Sequence, residues 1–224
     1  MPIQDLIEQT KGKKNLLEHE VKGLLREMGM PVPKGIFTAK GKSIPQPLNL
    51  TFPLIAKVSS SKIASKSDVK GVRPGLKNED ELEDAVSELM RIEYAQGVLI
   101  EEMVPHGLEV IVGGVIDNQF GPVVMFGLGG VFVELFKDVA FALAPMQRDD
   151  ALWLIRQVKG YKLLEGYRGN PPVDKEALVK IIISISEIIT ARSIEEIDLN
   201  PVSLYPEGAM VLDAKMLLAT VDKS

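Results

Sequence analysis

The stretch Ile194-Glu195-Glu196-Ile197-Asp198-Leu199-Asn200-Pro201, followed by Val211-Leu212-Asp213-Ala214-Lys215, carries the most specific pattern in the chain. The spacing predicts strands over 196–204 and 209–213, joined by the turn Pro206-Glu207-Gly208. Asp198 and Asn200 stand two apart, so a strand points both to one face. Asp213 is expected on the returning strand, facing them. A carboxylate, an amide oxygen and a few waters are the usual donors for Mg2+, with nucleotide phosphates completing the octahedron. A polar hairpin would show the same residues, but Pro201 stiffens the strand directly after Asn200.

Outward from this hairpin the chain alternates helices and strands. Asp174 caps a helix expected to reach about Arg192, and residues 160–173 form a loop-rich insertion. Asp149 is expected to cap a helix near 150–159. Apolar runs at 109–116, 120–126, 131–136 and 139–144, divided by Gly, Asn or Asp, predict a strand-rich sheet. Val98–Val104 reads as a strand closed by Pro105. Asn78, with Glu81 three positions on, opens a helix whose Leu82, Ala85, Val86 and Leu89 share one face. Its acidic first turn, Glu79–Glu83, suits the helix dipole. Residues 59–77 read as a loop, and Phe52–Val58 as a buried strand. A first helix is expected over 15–28, capped by Asn15 with Glu18 in a capping-box position and ended by Gly29 and Pro31. No regular βαβ rhythm emerges, so the expected class is α+β, with two subdomains over 1–104 and 105–224.

Composition narrows the function. The 224 residues are 46% hydrophobic and 25% charged, as in a folded globular protein. A net charge of −5 argues against a general affinity for nucleic acid or an anionic membrane. With no cysteine there is no disulfide, thiolate metal site or cysteine nucleophile. Two histidines, His19 and His106, are too few for a histidine-rich metal site. Residues 1–14 lack the apolar core of a signal peptide, and the longest apolar run, 179–189, is broken by Lys180, Ser184, Ser186 and Glu187. The expected location is the cytoplasm.

Four further stretches carry chemistry. Lys57 sits inside the apolar strand FPLIAKV, where a charge needs a partner. It either faces inward, as suits a bound phosphate, or points to solvent from an edge strand. The loop Ser65-Lys66-Ser67-Asp68-Val69-Lys70-Gly71-Val72-Arg73 offers hydroxyls, cations and a glycine that admits a phosphate, yet solvated loops share that composition. Glu101-Glu102-Met103-Val104 ends a strand with two carboxylates that would suit a purine edge or simply alternate along the strand. Phe126-Gly127-Leu128-Gly129-Gly130 exposes successive backbone N–H groups, as an anion site or a tight turn does.

Together these stretches resemble an ATP-grasp protein. More narrowly they are similar to the beta subunit of the NDP-forming acetyl-CoA synthetases (acetate–CoA ligase, ADP-forming). The likeness runs from LLEHEVKGLLREMGMPVPKG to VLDAKMLL. It is most specific in FGPVVMFGLGGVFVELFKDVAFALAP (120–145), LEGYRGNPPVD (164–174) and EIDLNPV (196–202). The ending is also similar to the nucleotide-binding half of succinyl-CoA synthetase.

The resemblance implies an ATP-grasp fold holding ATP or ADP between two α+β subdomains. It also implies an alpha-subunit partner that carries the CoA-binding and ligase domains and a phosphorylated histidine, in a cytoplasmic hetero-oligomer. The chain itself shows no CoA-binding GxGxxG signature. Carried over to this sequence, Lys57 would hold phosphates near the purine, and Lys66 and Gly71 would lie in the loop over the phosphates. Glu101, Met103 and Val104 would form the adenine-reading hinge, with Glu109 a ribose or phosphate-side contact. Gly129, Gly130 and Glu134 would meet the incoming phosphohistidine, and Asn200 and Asp213, with Asp198 beside them, would bind Mg2+.

One stretch departs from the family. Where the family reads His-Lys-Ser/Thr-Asp-Val-Gly-Gly-Val, this chain has Ser65-Lys66-Ser67-Asp68-Val69-Lys70-Gly71-Val72. Serine does not replace imidazole as a phosphoryl carrier, because a phosphoserine ester is a much poorer donor. Phosphoryl transfer would then run directly between the alpha-subunit histidine and the nucleotide. The alternative is a nucleotide-binding regulatory paralogue with a degenerate relay. A different carboxylate ligase on the same fold would not need the 120–145 and 164–174 stretches.

Overall fold

The computed structural model describes residues 13–130, 135–191 and 193–219. The described residues divide into two units: 17–23 with 33–105, and 13–16 and 24–32 with 106–219. Helix α1 (Glu18–Glu27) therefore begins in the first and ends in the second.

The first unit is a four-stranded antiparallel sheet of β1 (Gly35–Ala39), β2 (Leu54–Ser59), β3 (Val72–Leu76) and β4 (Gly97–Glu102), ordered β1-β4-β2-β3. Strand alternation gives this sheet two unlike faces. Leu54, Ala56, Val58, Val98 and Ile100 form a core with Leu82, Ala85, Val86 and Leu89 of α2 (Glu79–Met90). Lys57 and Glu101 have the opposite parity and lie on the other face. Helix α2 starts as its sequence dictates: the Asn78 side chain accepts from the Glu81 N–H, and Glu81 in turn accepts from the Lys77 N–H.

The second unit is built on a six-stranded antiparallel sheet, β10-β8-β5-β6-β7 with β9 also paired to β8. Its strands are β5 (Leu108–Asp117), β6 (Gly121–Leu128), β7 (Val139–Leu143), β8 (Ile194–Leu204), β9 (Ala209–Val211) and β10 (Ala214–Leu218). Helices α3 (Arg148–Arg156) and α4 (Lys175–Ile189) are in this unit, with a 3-10 turn at Lys159–Leu163 between them. α4 buries Leu178, Ile181, Ile182, Ile185 and Ile189. It lies so close to β5 that a Cβ on Gly114 would sit 3.0 Å from Ile189. Asp174 caps α4 through the Ala177 N–H and also accepts from the Gly208 N–H; these two backbone bonds hold its carboxyl below the usual range.

Several sequence expectations are corrected. Asn15 does not cap α1; it forms a bridge with Leu217, and the helix starts three residues later. The loop expected over 59–77 contains β3, which tolerates Pro74 because it is an edge strand. α3 begins at Arg148 rather than Asp150, with the Gln147 N–H donating to Asp150. The returning hairpin strand is divided: Asp213 lies between β9 and β10 rather than on a strand. The first unit also takes up 17–23 and the second 13–16 and 24–32, so a single cut after Val104 does not describe the packing. Backbone bonds account for the second group: Leu16 N–H donates to Met216, Leu218 N–H to Lys14, and Val211 N–H to Pro31. Of the apolar run at 131–136, residues 131–134 lie outside the described residues.

Candidate functional site

In the first unit, Lys57 turns inward and sits in a buried cluster of three lysines and two carboxylates. Its Nζ donates to Glu101 at 2.8 Å and meets Glu18 at 3.3 Å. Lys22 reaches Glu101 at 2.7 Å and Glu18 at 2.8 Å, and Lys66 reaches Glu18 at 3.0 Å. Burial alone would raise the Glu18 carboxyl. The Lys57, Lys22 and Lys66 ammoniums outweigh that effect and hold it well below the usual carboxylate range. Glu18 and Lys22 were not legible as site residues, because an i,i+4 Glu–Lys pair on a helix ordinarily marks a solvated face.

Lys66 and Gly71 frame a tight loop. The Gly71 N–H donates to the Lys66 carbonyl at 2.6 Å, and the Gly71 carbonyl accepts from the Val58 N–H. A Cβ at Gly71 would stand 2.4 Å from the Val58 side chain, so only glycine fits against β2. Ser65 accepts from the Asp68 N–H at 3.3 Å, a turn-forming contact. Lys70, where the resemblance places the first of two glycines, holds a left-handed φ of 51°. That conformation costs a residue with a Cβ about 1 kcal/mol or more. Lys70→Gly is therefore expected to raise unfolding stability by about 0.5–1 kcal/mol, read as a higher urea midpoint at unchanged slope.

Glu101 lies near the end of β4, and Met103 and Val104 follow it directly. The Glu101 carboxylate is taken by Lys22 and Lys57, and its backbone lies in the ladder between β1 and β2. Its carboxylate serves as counter-ion to both lysines. The Met103 N–H donates to Pro53, and its sulfur accepts from the Gly75 N–H at 3.0 Å. Val104 is half-buried.

In the second unit, Glu109 is exposed, and its carbonyl accepts from the Gly129 N–H at 2.8 Å. Gly130 follows with φ +60°. Glu134 lies outside the described residues. On β8, Asp198 pairs in register with Gly113 of β5 and Lys215 of β10. The β5–β8 ladder shifts by one residue between Val110 and Val112, opposite the Asn200–Pro201 step, and such bulges re-aim side chains. The Asn200 N–H donates to the Asp213 carbonyl at 3.2 Å. Asp198, Asn200 and Asp213 are thus brought together.

Burial chiefly, with help from Glu196 and Asp213 and against Lys215, pushes the Asp198 carboxyl up to about 6. Crowded acids of this kind fit a cation. Among the described residues no three His, Asp or Glu side chains form a metal cage, so Mg2+ would also draw on Asn200, water and phosphate oxygens. The folded pKa of Asp198 is raised, so the folded state binds the extra proton between about 4 and 6. Stability without metal should accordingly fall as pH rises through that window, by about 2 kcal/mol after solvent screening. Urea unfolding at pH 4.5 and 7 measures it, and Asp198→Asn should flatten the dependence.

A four-stranded antiparallel α+β unit followed by a six-stranded one is the architecture of the ATP-grasp domain, and the model of that domain family matches residues 8–218. The chain is 40% identical over 225 residues to the beta subunit of acetate–CoA ligase [ADP-forming] I of Pyrococcus furiosus, covering 96% of this chain and 97% of that one. It is 46% identical to acetate–CoA ligase [ADP-forming] II of Archaeoglobus fulgidus, over 91% of this chain but only 30% of that longer protein. The structure matches that of the Ca. Korarchaeum cryptofilum dinucleotide-forming acetyl-coenzyme A synthetase 1 in complex with coenzyme A and Ca-AMPCP. That match has a TM-score of 0.87 and 42% identity, over 96% of this chain and 99% of that one. A second structure of that synthetase, in complex with coenzyme A and Mg-AMPPCP, matches with a TM-score of 0.83 and 42% identity, over 97% and 100% of the two chains. This chain belongs to the ATP-grasp family of ADP-forming acetate–CoA ligase beta subunits.

Proposed function

We propose that this chain is the nucleotide-binding subunit of a cytoplasmic ADP-forming acyl-CoA synthetase. It acts with an alpha subunit that carries the CoA-binding and ligase domains. The reaction is acyl-CoA + ADP + phosphate ⇌ carboxylic acid + CoA + ATP. The observation that carries this reading is the likeness over 97% of the Pyrococcus furiosus beta subunit. The Mg-AMPPCP bound in the related synthetase supports the choice of nucleotide and metal.

Lys57 and Lys66 are the phosphate-side cations of this reading, and their ammoniums suit phosphate as point charges. Asp198, Asn200 and Asp213 would hold Mg2+, which when bound neutralises charge on the phosphate oxygens. The transferred phosphoryl group passes through a loose transition state, so positioning and charge do most of the work. Ser65 takes no part as a carrier. The phosphoryl group moves directly between the alpha-subunit histidine and the nucleotide.

Mixing the chain with its alpha subunit and measuring ATP formed from acetyl-CoA, ADP and phosphate tests the reading. Turnover is expected, and none with any acyl-CoA would overturn it. Ser65→His should leave the rate within about twofold; a gain of tenfold or more, roughly 1.4 kcal/mol of barrier, would instead reveal a broken relay.

A further inference from the structure

The buried lysine cluster contains an anion of its own. One Glu18 oxygen lies 2.8 Å from the Lys22 ammonium and 3.3 Å from that of Lys57; the other lies 3.0 Å from that of Lys66. Three ammoniums around one carboxylate form an anion site whose occupant is built into the chain. We propose that Glu18 is a specificity-determining residue: it occupies the anion position at Lys57 and Lys66 and yields it only to a phosphate group carrying two or more negative charges. This rests on reading Lys57 and Lys66 as phosphate-side residues.

The geometry supports displacement at one point in particular. Lys66 is the most exposed of the cluster, at 13% of its side chain against 4% for Glu18 and 9% for Lys57. It is carried by the tight loop that Gly71 closes onto β2. When Lys66 turns to a phosphate, Glu18 keeps its i,i+4 partner Lys22, so no buried carboxylate is stranded. A monoanion replaces one charge with one charge and gains nothing. A doubly charged terminal phosphate at the same distance doubles the attraction. The cluster thereby ranks ligands by charge, favouring a nucleoside di- or triphosphate over singly charged anions.

Calorimetric titration of the whole chain with Mg–ATP and with adenosine tests the proposal. Glu18→Gln keeps the shape and removes the competing charge. Mg–ATP is expected to bind about tenfold tighter to Glu18→Gln than to the unaltered chain, with adenosine affinity unchanged. General damage would move ATP affinity the other way, so equal or weaker ATP binding overturns the proposal. ATP binding to neither form overturns both the proposal and the nucleotide-subunit reading. ATP binding to the unaltered chain without tightening in the variant overturns the proposal alone. Should the variant fail to fold, the ATP-bound structure of the unaltered chain decides: a Lys66–Glu18 separation beyond 4 Å supports displacement, and a retained 3.0 Å pair overturns it.

Discussion

Glu101→Gln is expected to destabilise the folded chain by about 3–5 kcal/mol, the range found when one partner of a buried ion pair is removed. The Glu101 carboxylate accepts from Lys22 through both oxygens, at 2.7 and 2.8 Å, and from Lys57 at 2.8 Å. It is 1% exposed, so no water replaces those bonds. An amide of the same shape offers one acceptor oxygen and no charge. Three lysines would then face Glu18 alone, leaving excess positive charge in a buried site. Urea unfolding followed by circular dichroism measures the loss. A change under about 1 kcal/mol would show that the cluster is not the closed ion network described. Glu102→Gln provides the comparison: its carboxylate accepts from the exposed Thr51 N–H and lies 3.9 Å from an exposed Lys34, contacts of the weak surface kind.

Asp213→Ala should abolish the Mg2+-dependent share of nucleotide stabilisation and lower ATP formation at least about a hundredfold, roughly 2.7 kcal/mol. Ligand at about 100 times its dissociation constant adds about 2.7 kcal/mol to stability. For the unaltered chain, Mg–ADP should therefore raise the melting temperature well above the value in ADP with a chelator. For Asp213→Ala the two melting curves should coincide. A second readout needs no nucleotide. Asp213 is one of the charges that raise the Asp198 carboxyl, so its removal should bring that carboxyl down towards its ordinary range. An unchanged Mg2+ dependence would remove Asp213 from the metal site.

The sequence was most informative where local chemistry and tertiary packing agree. Asn78 and Asp174 were legible as caps because an N-cap side chain bonds backbone only three residues away. The hairpin that brings Asn200 to Asp213 was legible from spacing and a turn. Strand β10 was not: Ala214-Lys215-Met216-Leu217-Leu218 is made of good helix formers, and pairing with β8 overrides that preference. Strand β3 was hidden by Pro74 and Gly75, which only an edge tolerates. The role of Glu101 was hidden for another reason. Its partners Lys22 and Lys57 lie 79 and 44 residues away, and no local pattern reports a counter-ion at that distance. Glu18 and Lys22 belong to the same case, since what distinguishes them from a surface pair is the sheet face against them.

The pairing of residues 14–16 with β10 has a consequence for the order in which the chain matures during synthesis. The unit of 17–23 with 33–105 is complete once its last strand has left the ribosome, about a hundred residues before β10 exists. The other unit must wait, because Lys14, Asn15 and Leu16 pair through the backbone with Leu218, Leu217 and Met216. Contacts of such long sequence separation close last and slowly. A nascent chain stalled once β4 has emerged from the ribosome should therefore already protect the amides of β2 and β4 from exchange, while Leu16 gains protection only after β10 has emerged.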